Sequence, residues 1–167
     1  MEEMFDEVDE EGRVIATHPK SYFGTRMFMH KASLIIPATA GGKLLLTKRA
    51  ETKHPFPGTW CCAVGGKVES GEDEEGAAQR EMVEEIGVAY PLRKIATFVY
   101  DREDYKAVFT LYTTIQPVMP SEMAFDEGEI QDFGAFTLEE ILRMVKERPG
   151  DFAPTFIAAI NEFAKNA

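Results

Sequence analysis

A helical pattern runs over residues 73–86, and strand-like segments lie on both sides of it. Ala77 and Ala78, then Met82, Val83 and Ile86, form its apolar side. A helix with one apolar side has to bury it, and the neighbours on offer are strands, so the segment predicts a helix packed on a sheet. Gly87 stands where a left-handed stop is expected.

The remaining segments support that architecture. ASLIIPA (residues 32–38) and KLLLTKR (43–49) flank the turn signal AGG, which predicts a hairpin. HPFPGTW (54–60) carries two prolines and a glycine and reads as a loop, and WCCAVGG (60–66) reads as a short apolar strand. RKIATFVY (93–100) and YKAVFTLYTTIQP (105–117) are rich in β-branched and aromatic residues around the turn DRED, a second predicted hairpin. PSEMAFDEGE (120–129) is a polar loop and IQDFGAF (130–136) a further strand. Thr137 and Glu140 form a capping box that opens the helix TLEEILRMVKE, which Pro149 and Gly150 end, and DFAPTFIAAINEFAKN is an amphipathic closing helix. The sum is an α/β fold, with a mixed sheet, one central helix and two C-terminal helices.

A chain of 167 residues suits one domain with one core. No apolar run reaches the length of a bilayer span, and the N-terminus MEEMFDEVDEEG is too acidic for a signal or transit peptide. A cytoplasmic protein without membrane partners is therefore expected. A net charge of −11 argues against a nucleic-acid partner, which needs a basic surface. Cys61 and Cys62 are adjacent and form no C-x-x-C, so they are expected to be small packing residues.

Between Gly66 and Val88, ten residues are charged and eight of them are acidic. Glu81, Glu84 and Glu85 fall at i, i+3 and i+4, on one helix face, where like charges repel. Three carboxylates within reach of a common point can hold a hard divalent cation such as Mg²⁺. The same spacing also suits a solvated acidic face. Arg80 can pair with Glu72 and brace the loop before the helix, while Gly65 and Gly66 let a backbone carbonyl approach a ligand.

The complete pattern decides between these readings. Gly66, Glu72 and the run Arg80-Glu81-Met82-Val83-Glu84-Glu85-Ile86-Gly87-Val88 match G-x5-E-x7-R-E-U-x-E-E-x-G-U, where U is aliphatic. This resembles the Nudix box. The resemblance implies a Nudix-type α/β/α sandwich in which residues 66–88 form the catalytic loop-helix-loop. It also implies hydrolysis of the pyrophosphate linkage of a nucleoside diphosphate derivative or a related diphosphate. Mg²⁺ would serve as cofactor, with Mn²⁺ able to replace it. Glu81, Glu84 and Glu85 and the Gly66 carbonyl would be the metal ligands, with Arg80 and Glu72 supporting the loop. The general base is expected at Glu84 or in the loop before a late strand, where Glu129 fits better than Glu127. Such domains often pair, so a homodimer is open.

A second likeness lies outside the box. EVDEEGRVIATHPKS, HKASLIIPA and KLLLTKRAETKHPFPGTWCCAVGG resemble the isopentenyl diphosphate isomerase branch, over about the first half of the chain. The isomerase chemistry does not follow. Where isomerases carry C-G-H-P, this chain has Gly65-Gly66-Lys67-Val68, and residues 105–108 hold Lys106 but no carboxylate. An isomerase-like hydrolase is the reading, with isopentenyl diphosphate delta-isomerase as the alternative and a non-catalytic nucleotide sensor as a third.

A diphosphate needs cations besides metal. Arg49, at a strand end, and Lys67, inside the box, are the candidates for substrate contact. His18, His30 and His54 have no metal-ligand spacing and are expected to be structural or exposed. Phe98, Tyr100, Phe109, Tyr112, Phe125 and Phe133 are expected in the core.

Overall fold

Two β-sheets face each other, and the chain crosses between them at two short seams. The computed structural model describes residues 1–166. In chain order the elements are β1 (Met4–Val8), β2 (Val14–Pro19), β3 (His30–Ile35), β4 (Ala38–Thr39), β5 (Lys43–Arg49), β6 (Trp60–Cys62) and β7 (Val64–Lys67). Then follow α1 (Glu74–Ile86), β8 (Leu92–Asp101), β9 (Lys106–Thr114), β10 (Ile130–Phe136), α2 (Leu138–Glu147) and α3 (Pro154–Asn166). The first sheet runs β2-β1-β3-β9-β8, with β7 also on β3, and the second runs β10-β5-β4, with β6 also on β5. β3 and β9 are parallel and the other pairings antiparallel, so the larger sheet is mixed as expected.

The expected hairpin of residues 32–38 with 43–49 does not form. β3 pairs with β1, β7 and β9, and only Ala38 and Thr39 pair back onto β5. Pro37 lacks a donor for a ladder, and its carbonyl instead accepts from the Leu45 amide at 2.9 Å, in the other sheet. The segment WCCAVGG likewise divides into β6 and β7, with buried Ala63 as the step between sheets.

The core follows from side-chain alternation. On β3, Ser33 and Ile35 face α1: the Ser33 hydroxyl donates to the Glu74 carbonyl, and Ile35 packs with Met82 and Ile86. Ala32 and Leu34 face the opposite way, into the space between the sheets. α2 and α3 close that space from the far side with Ile141, Phe156, Ile160 and Phe163. Val83, assigned to the apolar side of α1, is instead 53% exposed. Its neighbours Met82 and Ile86 fill the available contact, and the stripe is narrower than the sequence suggests.

The Gly87 stop and the Thr137–Glu140 capping box read from the sequence are present, and α1 has a further cap at Asp73. Asp73 accepts from the Gly76 amide, Gly87 takes φ 77°, and Thr137 and Glu140 exchange both capping-box bonds. Tyr100, Phe109 and Tyr112 are buried. Phe133 is exposed and lies outside the core, while the half-buried Phe125, on which it stacks at 4.9 Å, packs against the core beside α1. Among the described residues, no helix is long and apolar enough to cross a membrane.

Candidate active site

A cleft of about 640 Å³ lies between the sheets and opens beside the end of α1. Its acidic end is built by the segment from β7 through α1. Arg80 is the keystone: its Nε and Nη2 donate to the two Glu72 oxygens at 2.9 Å each, and Nη2 also reaches the Lys67 carbonyl at 3.1 Å. Its Nη1 donates to Glu81 Oε1 at 2.8 Å. Glu72 in turn accepts from the Glu69 amide at 3.1 Å. These bonds hold the Glu72 carboxyl below the usual carboxylate range and raise the Arg80 pKa. The loop is thus braced as the sequence predicts.

Glu81, Glu84 and Glu85 all line the cleft, but each is held separately. Glu81 turns to Arg80, and Glu85 accepts from the Gly65 amide at 3.0 Å. Glu84 is largely exposed, 3.5 Å from Arg80 Nη1. Among the described residues, no three His, Cys, Asp or Glu side chains converge on one point. The expected common point is therefore absent from this arrangement: three like charges on one helix turn repel, and each carboxylate takes the donor nearest to it.

The chemistry of the set nevertheless suits a hard cation. The donors are all oxygens. Burial drives the Glu85 carboxyl up to about 8, and the Glu81 and Glu129 charges push it the same way against the Gly65 bond. Burial also raises Glu81. A cation would relieve both. Gly66 has no Cβ, and one added there would overlap the Glu81 carboxyl, so glycine keeps backbone and carboxylate adjacent.

Glu129 stands across the cleft, just before β10, where Lys53 donates to its Oε1 at 2.9 Å. Glu127 does not line the cleft. Arg49 and Lys67 both do, and among the described residues neither has an ion-pair partner; the buried Arg49 Nε has no hydrogen-bond partner at all.

The inner end is apolar. Ala32, Leu34 and Phe109 face Phe56, Cys61 and Phe156. Tyr105, Thr47 and Cys61 on these walls already have partners, whereas Thr155 beside Phe156 and His54 near the rim make no side-chain hydrogen bond among the described residues. His30 Nδ1 donates to the Phe28 carbonyl at 3.1 Å, which leaves Nε2 to accept from the Tyr105 hydroxyl at 3.0 Å. Burial lowers His30 to about 4 and raises Tyr105 to about 12, so both are neutral. Thr47 donates to the Cys62 carbonyl, and the Cys61 thiol lies within bonding distance of the Thr47 carbonyl. Both cysteines are free thiols, and burial raises their pKa values. They are wall residues, as expected.

A sequence model described as the NUDIX domain matches residues 29–156. The chain belongs to the Nudix family. It is a Nudix hydrolase, and its relatives sharpen the branch. A prenyl-diphosphate phosphatase of Methanosarcina mazei is 29% identical over 97% of this chain and 95% of its own length. An isopentenyl-diphosphate Delta-isomerase of Photorhabdus laumondii is 27% identical over 96% and 92%, so the likeness to that branch spans the whole chain and not only its first half. The crystal structure of DR0079 from Deinococcus radiodurans has the same fold, with a TM-score of 0.73 and 23% identity over 87% of this chain and 90% of that one.

Sequence reasoning missed one component. Residues 1–28 were read for their charge, for the isomerase likeness of residues 7–21 and for His18, but not as part of the site, yet Glu3, Phe5 and Lys20 line the cleft. VIATHP shows no apolar–polar alternation, so periodicity gave no signal for this component.

Proposed function

We propose that this Nudix hydrolase is an Mg²⁺-dependent enzyme that cleaves the pyrophosphate linkage of a small alkyl diphosphate of the prenyl class, giving a monophosphate ester and orthophosphate. The observation that carries the reading is the division of the cleft. One end gathers acids and two unpaired cations, while the other end is mostly apolar and its Tyr105, Thr47 and Cys61 are occupied by protein partners. The edge of a nucleobase placed there would lose its water and find few donors or acceptors, at a cost of about 1–3 kcal/mol per unpaired group. An alkyl chain incurs no such cost. This reading takes the related-diphosphate arm of the expectation, and a nucleotide-derived substrate is its competing outcome in the panel below. The name of the Methanosarcina relative supports the same class.

Glu81, Glu84 and Glu85, with the Gly66 carbonyl, would hold the metal. Mg²⁺ bound there would neutralise diphosphate charge and acidify water. Arg49 and Lys67 would hold phosphate oxygens. Glu129, its Oε1 fixed by Lys53, would accept the proton of the attacking water through its other oxygen. Arg80 and Glu72 keep the box rigid, and residues 1–167 act as one catalytic domain.

A panel of prenyl diphosphates and ADP, assayed for orthophosphate, and of ADP-ribose, assayed for its two monophosphate products, each with and without Mg²⁺, tests the proposal. Prenyl diphosphates should have the highest kcat/KM, and only with the metal. Faster turnover of the nucleotides would refute the substrate class. Interconversion of isopentenyl and dimethylallyl diphosphate without phosphate release would instead establish the isomerase. Tight binding without turnover would establish a sensor.

A further inference from the structure

Lys67 is a cation inside the cleft of an acidic protein, and its ammonium lies over an aromatic ring rather than against a carboxylate. Its Nζ is 4.9 Å from the centroid of Phe23. Phe23 belongs to the segment ahead of residue 29, outside the portion matched by the family model. We propose that this N-terminal segment is a working wall of the cleft, and that Phe23 is a positioning residue that holds the Lys67 ammonium toward the substrate diphosphate. The proposal rests on the reading that the cleft takes a diphosphate.

Three sets of contacts support it. First, the ring is itself fixed. Phe23 stacks on Phe28 at 4.3 Å and meets Phe5 and His30 edge-on at 5.4 and 5.1 Å. Second, the segment is anchored as a scaffold. Glu7 accepts from Arg26 at 2.6 Å and pairs with His18 at 2.7 Å, while the Arg26 guanidinium lies over Tyr22 and Phe28. Third, the segment is tied to the box loop, because the Ser70 amide donates to the Met4 carbonyl at 2.8 Å and Phe5 bridges to Glu69.

The choice of an aromatic partner has a physical consequence. A carboxylate beside Lys67 would neutralise it and compete with phosphate for its three donors. A ring face attracts the ammonium through its quadrupole, limits the rotamers of a long side chain, and leaves the charge available.

The test uses Lys67→Met, Phe23→Leu, Phe23→Tyr and the Phe23→Leu/Lys67→Met double variant of the full chain. Calorimetric titration with imidodiphosphate in Mg²⁺ buffer reads binding, and steady-state kinetics on the best substrate of the panel separate KM from kcat. Phe23→Leu should weaken imidodiphosphate binding and raise KM roughly three- to tenfold, with kcat within about twofold. Phe23→Tyr, which keeps the ring, should behave as wild type. In the Lys67→Met background, Phe23→Leu should add nothing, because its effect runs through the ammonium. Additive losses, an unchanged KM, or wild-type protein with no affinity for imidodiphosphate would overturn the proposal. If Phe23→Leu melts early, the Tyr variant and Lys67→Met still decide: a loss in Tyr equal to that in Leu, or no loss in Lys67→Met, sinks it. Wild-type binding of imidodiphosphate without turnover of any diphosphate would sink the hydrolase reading alone.

Discussion

At the acidic end of the cleft, side chains have capacity to spare: Glu84 is largely solvent-facing, and Arg49 and Lys67 have no carboxylate partners among the described residues. At the apolar end, the hydroxyls of Tyr105 and Thr47 and the Cys61 thiol all find partners within the protein. The first end has unpaired charge to offer, whereas the second is mostly apolar and offers few free polar groups. A site that must hold a charged head and an uncharged tail needs both kinds of wall, and the contrast between them carries more information about the substrate than either alone.

Perturbing each end should therefore give different signatures. The largest effect is expected at the acidic end. Glu84→Gln should lower kcat/KM on the order of 10²–10³-fold at limiting Mg²⁺, a loss that metal titration in the assay would reveal as weakened affinity. Because Glu84 is exposed, its melting temperature should hardly move; retained activity would remove it from the metal site.

The apolar end should respond in stability. His30 is neutral when folded, with a pKa near 4 against 6.5 when unfolded, so between those values the unfolded chain binds more protons. The contribution is fully present above pH 6.5 and is lost as pH falls through 4, by roughly 2–3 kcal/mol. Denaturant melts of wild type and His30→Phe across this window should differ in slope by that component, and parallel curves would disprove the buried neutral imidazole.

Arg49→Met should raise KM about tenfold for the diphosphate, through the loss of a charge-assisted contact, and leave kcat less affected. The smallest effect belongs outside the cleft altogether. Thr137→Ala removes the α2 cap and should cost about 1 kcal/mol of stability in a thermal melt, with kcat/KM unchanged.

The acidic end was legible in the sequence because its information is local. Residues 66–88 supply the glycines, the bracing Arg80–Glu72 pair and the carboxylates in one continuous segment, and helix periodicity places them. The strands at residues 93–117 and 130–136 and both C-terminal helices could be read for the same reason. The apolar end was not legible, since Leu34, Cys61, Phe109 and Phe156 meet only through pairings between distant segments. Pro37 and Ala63 mark where the chain changes sheets, but a one-residue change of partner leaves the hydrophobic pattern almost untouched, so a false hairpin resulted. The separate rotamers of Glu81, Glu84 and Glu85 were equally beyond reach, because spacing fixes which side chains share a face but not which donor each one takes.

The two crossings have a mechanical corollary. Ile36 and Pro37 at one and Ala63 at the other are all the chain that separates paired strands of opposite sheets, and Ile36 and Ala63 are buried. With only the longer segment 115–129 as a third link, such short tethers permit little relative movement of the sheets beside them, so the gape between the jaws is a built-in dimension. Under the proposed function, selection among chain lengths would then work like a gauge block, with a tail either fitting the fixed depth or leaving its head short of the carboxylates proposed to hold the metal.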